Sequence, residues 1–178
     1  MAATRNRSPE GAVVAQERYT RTNQKLYFAG LAIKALREAE QGAALDAAGR
    51  SQAEREAALF HLHGALLGLL QEIAGFYRLP GADAPSVEPL LGIASDCPEL
   101  GELRQLAARG DSWLSALREA HAGLFVPPVA PRKPAEDNGL IVTSAAQSAL
   151  PVDGDTLAVW QAELKALALR FREAMVDS

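Results

Sequence analysis

One cysteine, three histidines and aromatics at 6% of 178 residues are the scarcities of this sequence, and each excludes something. Cys97 alone closes no internal disulfide, and with no second thiol or clustered histidine there is no zinc spacing, so a reducing cytoplasm is the expected location. The first twenty residues lack the roughly 7–15-residue apolar core of a signal peptide. The longest apolar stretch, Ala57–Tyr77, contains His61, His63, Gln71 and Glu72, each costly in hydrocarbon, so no transmembrane span is expected. The Glu-x-x-His pattern of carboxylate-bridged metals in bundles does not occur. Neither a phosphate-cradling G-x-x-x-x-G-K-[ST] loop nor a G-x-S-x-G nucleophile turn is present. No metal and no cofactor are expected. The formal charge is −4, split between +5 over residues 1–37 and −9 over residues 38–178, which argues against nucleic acid as a partner.

What the sequence has in quantity is alanine, leucine and helical periodicity. Ser51–Leu79 reads as one long helix, apolar around nearly its whole circumference. A Ser51/Glu54 capping box predicts its start and Pro80-Gly81 its stop. Two apolar stripes on it predict neighbours on two sides. A third line, Ala57, His61, Gly64, Gly68, Gln71 and Gly75, is small enough to admit a crossing backbone. A helix from Thr20 or Thr22 to Gly42 precedes it. Short helices follow after Ser86, after an Asp96/Glu99 capping box, and from Asp111 or Ser112 to Pro127. The last helix, capped by Asp153 or Asp155, carries the stripe Leu157, Trp160, Leu164, Leu167, Phe171 and Met175. The expected fold is all-α, a four- or five-helix up-and-down bundle around the long central helix. The expected organisation is a disordered leader over 1–18, a bundle core over 19–126, a proline-rich linker over 127–152, and a C-terminal helix over 153–178 that completes the bundle. Within the linker, Leu140–Thr143 has strand-like composition with no partner strand and is expected to lie over the bundle.

Two runs, Tyr19–Phe28 and Gln52–His61, the second continued by Gly64–Gly68, resemble a family of small uncharacterised gammaproteobacterial proteins of the pseudomonad type, a domain of unknown function. The similarity covers Tyr19–Leu79 best and fades towards Phe125; the leader and Val126–Pro151 depart from it. The resemblance implies a bacterial, cytoplasmic, all-helical protein and carries over no catalytic residue. Within these runs Asn23, Gln24, Glu54, Arg55 and His61 are the polar groups to follow, expected to form a network fixing the register of two helices or to hold a ligand.

Arg55 followed after five residues by His61 resembles the Arg-x(4–6)-His motif of the HEPN ribonucleases, in which arginine would hold an RNA phosphate and histidine would move protons. The two lie about 120° apart around an ideal helix. His61 and His63 point to opposite sides, so His121 would have to join one of them from another helix. Arg18, Arg21 and Lys25 share a helix face near Tyr19 and Tyr27, expected to be a solvated helix end. The leading expectation is a non-enzymatic cytoplasmic module that binds an unknown protein partner, with a homodimer admitted. The alternatives are a HEPN-like nuclease using Arg55 and His61, and a peripheral membrane protein docking through its basic N-terminal helix.

Overall fold

The computed structural model describes residues 9–127 and 151–176. Residues 1–8, most of the linker and the strand-like run Leu140–Thr143 lie outside them. The described residues form six helices and no strand: α1 (Pro9–Gln41), α2 (Ala47–Phe76), α3 (Val87–Leu91), α4 (Pro98–Ala108), α5 (Trp113–Gly123) and α6 (Gly154–Val176). The all-α expectation holds, with α2 at the centre and α3 a single short turn.

Residues 9–18, expected in the disordered leader, are helical. Pro9 starts α1 in a position where its missing N–H costs nothing, and each residue added to a helix already anchored from Arg18 onward forms one hydrogen bond without a new nucleus. The start of α2 also differs from expectation. The helix begins at Ala47, Ser51 lies inside it, and Asp46 at the N-cap makes no side-chain cap bond, so the Ser51/Glu54 box is not formed. Its end comes three residues early, because Tyr77 and Arg78 close a Schellman motif: the Leu79 amide donates to Ala74 O at 2.8 Å and that of Arg78 to Gly75 O at 3.2 Å. Arg78 occupies the left-handed position at φ +53°, where glycine is usual. At α4 the cap is Cys97, with Pro98 in the first turn and Glu99 turned inward rather than boxed with Asp96. Ser112 caps α5 as expected, its hydroxyl accepting from the Ser115 amide at 3.0 Å, and Asp153 caps α6 through the Thr156 amide at 2.7 Å.

The four longest-packed helices alternate in direction. Arg18, Thr22 and Lys25 of α1 lie against Gly75, Gly68 and Gly64 of α2, so these two run antiparallel. Gly154 N meets the Glu40 carboxylate while Arg172 reaches Asn23, so α6 is antiparallel to α1 and parallel to α2. Helix α5 returns along α2, with Leu114 in the cluster of Leu66, Leu70 and Ile73 and Leu117 in that of Leu59 and Leu62. All six residues of the α6 stripe are buried. Helix α2 is long and apolar enough to cross a membrane by length and composition alone; 56% of its apolar window is buried inside the bundle.

The small-residue line on α2 does receive a crossing helix. A Cβ on Gly68 would stand 2.5 Å from Thr22 Oγ1 and 3.3 Å from Thr22 Cα, so backbone is pressed against backbone there. At Gly64 it would meet only the flexible stem of Lys25, at 3.1 Å. Gly68→Ala is therefore expected to destabilise by about 1 kcal/mol, overpacking outweighing the helix-propensity gain, whereas Gly64→Ala stays near neutral. Urea unfolding of the two variants checks this; equal stabilisation of both would show that α1 yields freely at Thr22.

Candidate functional site

The five polar candidates are not gathered into one network. Arg55 ties together three helix ends: its Nε donates to Val152 O at 2.7 Å, its Nη1 to Gln52 Oε1 at 2.9 Å, and Glu40 lies 4.0 Å from Nη2. Asn23 belongs to a second place, accepting from Arg172 at 2.9 Å on the α6 side of α1. Exposed Gln24 accepts from Arg21 at 2.7 Å. Glu54 has no hydrogen-bond or ion-pair partner among the described residues. His61 stands apart from Arg55, on the α1 side of α2 between the rings of Phe28 (centroids 5.3 Å) and Phe60 (5.2 Å). One chain thus does not bring Arg55 and His61 to a common point.

The cations of α1 are not a solvated end. Lys25 is only 9% exposed, its stem laid across Gly64 and its ammonium 4.5 Å from the centre of the Phe60 ring. Arg18 lies over Gly75 and pairs with Asp83, leaving Arg21 as the exposed member of the three. The reason is the glycine line on α2: without Cβ atoms at 64 and 75, the seam has room for the apolar stem of Lys25 and for the guanidinium of Arg18. No carboxylate among the described residues pairs with Lys25. Burial, and then the Arg21 charge, lowers its pKa. Burial lowers that of His61 as well, with Lys25 and Arg21 adding to it, and His61 Nδ1 is buried with no hydrogen-bond partner among the described residues.

His121 does join a histidine from another helix, and it is His63. Their rings stack at 3.6 Å between centroids and 2° between planes, with Phe125 edge-on to His121 at 5.3 Å. Burial, and secondarily the His121 ring, pushes His63 down to about 4; Glu88 opposes this and Arg118 adds to it. All three histidines therefore sit in ring chains flanking the outward ridge of α2: Phe28, His61 and Phe60 on the α1 side, His63, His121 and Phe125 on the α5 side. Phe60 is 54% exposed and Phe125 75%. Periodicity marks neither, because an exposed phenylalanine on a polar face leaves no repeat to detect.

Two further polar clusters escaped sequence reasoning. Arg172 makes a bidentate pair with Glu72, both bonds 2.9 Å, in a site where the side chains are 15% and 8% exposed, and its guanidinium lies 4.2 Å from the Tyr19 ring centre. It borders two grooves: one of about 810 Å³ also lined by Tyr19, Phe76 and Met175, and one of about 540 Å³ between α1 and α6. Both oxygens of Glu72 are held by the guanidinium. At the other cluster, buried Glu99 accepts from Tyr77 Oη at 2.9 Å and Cys97 Sγ at 3.2 Å; burial chiefly, with these contacts, pushes Tyr77 up to about 12 and raises the Cys97 thiol. Among the described residues no group of three or more His, Cys, Asp or Glu side chains is placed to hold a metal.

A family profile covers residues 16–178, described as a family of unknown function. The chain belongs to the DUF6586 family. The DUF6586 match runs from residue 16 to residue 178, across the stretch Val126–Pro151 that was expected to depart from the family. No curated protein and no solved structure matches the chain.

Proposed function

We propose that this DUF6586 chain is a non-enzymatic, cytoplasmic protein-interaction module of a gammaproteobacterium, with α2 its core rather than a membrane span, and that it docks a protein partner on the outward ridge of α2. The observation that carries the reading is the exposed aromatic belt around Phe60, bordered by the buried Lys25, which has no carboxylate partner among the described residues. Aromatics dominate interface energetics because they bury large area at little conformational entropy cost. The exposed faces of Phe60 and Phe125 contribute little to the fold of the isolated chain. His61 Nδ1 is buried without a hydrogen-bond partner among the described residues, and the Lys25 ammonium stands 4.5 Å from the centre of the Phe60 ring in the same seam. A partner that supplies an acceptor there offsets a burial cost already present in the fold.

The test is in-cell crosslinking of the tagged full chain, comparing wild type with Phe60→Ala/Phe125→Ala. Capture of the crosslinked species is expected to fall at least about tenfold, with unfolding free energy changed by no more than about 0.5 kcal/mol because both rings are largely solvated. Undiminished capture by the double variant would move the docking surface away from the belt.

A further inference from the structure

The ridge of α2 is ordered in a way that suits one occupant in particular. Seven and four residues before Phe60 stand Ala53 and Glu56; four and seven residues after it stand Gly64 and Leu67, and Lys25 lies across Gly64. Positions 53, 56, 60, 64 and 67 fall on one face at helical spacing. One half of this face is therefore small and acidic, the other bulky and basic. When two such ridges meet antiparallel about Phe60, position 60 + n faces position 60 − n of the other. Leu67 then meets Ala53, and the Lys25 chain that crosses Gly64 towards the Phe60 ring is brought to the side of Glu56, whose backbone lies about 6 Å along the helix from the axis. A parallel pairing would instead set Lys25 against Lys25.

We propose that a second copy of this chain covers the ridge, with a two-fold axis beside Phe60 that pairs Lys25 of each copy with Glu56 of the other. The proposal rests on the reading of the belt as a docking surface and names its occupant. It accounts for a nine-tenths buried lysine with no carboxylate partner among the described residues, while Glu56 is exposed and among those residues bonds only Gln52. The flanking Phe28 and Phe125 would border the same contact on either side.

The experiment uses the full chain. Light scattering and sedimentation equilibrium at about 100 µM are expected to give the dimer mass. Phe60→Cys is expected to form a disulfide-linked dimer under mild oxidation, and Ala53→Cys not to, because only a residue beside the axis meets its own copy. Cys97 is buried and does not compete. Glu56→Lys, at an exposed position that leaves the fold intact, is expected to weaken the dimer about tenfold or more, and Lys25→Glu added to it to restore it to within about threefold. A monomer at that concentration with no disulfide linkage in the Phe60→Cys variant, or a dimer indifferent to Glu56→Lys, overturns the proposal. A monomeric chain whose crosslinked capture still depends on Phe60 and Phe125 would overturn the second copy alone and leave the docking surface to a different protein.

Discussion

Glu72→Ala is expected to lower the unfolding free energy by about 3–5 kcal/mol, the largest single effect in the bundle. Arg172 reaches across from α6 between α2, α1 and the Tyr19 ring and is largely buried, with both oxygens of Glu72 answering its Nε and Nη2. Deleting the carboxylate leaves a guanidinium 15% exposed with, among the described residues, only Asn23 to accept from it, and an uncompensated charge in that setting costs far more than the pair itself contributes. A domain with the usual total stability of about 5–15 kcal/mol would lose a large share of it, seen as a fall of about 10 °C in Tm. Replacing both partners by methionine removes the buried charges together and is expected to cost much less than Glu72→Ala alone. A loss below about 1 kcal/mol for Glu72→Ala in urea unfolding would show that water reaches the pair freely.

The second large effect is expected on acidification. His63 is held at about 4 in the folded chain against an ordinary value of 6.5, and His61 and His121 are lowered in the same direction. A lowered pKa means that the unfolded chain binds protons first, so this stability is complete above about pH 7 and is lost as pH falls from 6.5 towards 4. Allowing for the partial exposure of the rings, the loss between pH 7.5 and pH 5 is expected to be about 2 kcal/mol. Two imidazolium rings stacked at 3.6 Å would repel, with Arg118 beside them and only the exposed Glu88 to compensate. The carboxylates whose pKa is lowered, Glu88, Glu102 and Asp153, start from lower values and titrate below this window. His63→Phe keeps a ring against His121 and is expected to remove more than half of the loss between pH 7.5 and 5. An unchanged acid limb in that variant would place the sensitivity elsewhere.

The residues that the sequence singled out as polar candidates show where its reach ends. Arg55, Asn23 and His61 lie in two runs that suggest one shared network, yet each faces a different neighbour: the start of α6, Arg172, and the Phe28–Phe60 rings. Arg172, which organises the most buried ion pair among the described residues, lies at the far end of the chain and reads locally as one more charge on the polar side of the last helix. Lys25 likewise reads as a surface lysine, because its burial depends on a glycine 39 positions away in sequence.

The helices themselves were legible because their signal is local. A repeat of 3.6 residues, a proline at the first turn and an aspartate or serine at a cap act within a few residues, so the all-α class, the central place of α2, the α6 stripe and the caps of α5 and α6 follow from the chain alone. Ser51/Glu54 and Asp96/Glu99 show the limit of that logic, since an identical local pattern can be continued past by a helix or turned inward to bond Tyr77 and Cys97. Which cations are buried, which histidines stack and which phenylalanines remain in water were decided by the crossing of α1 and α5 over α2. Those outcomes depend on where glycines permit close approach between segments remote in sequence, and no periodicity within one segment encodes the height at which another crosses it.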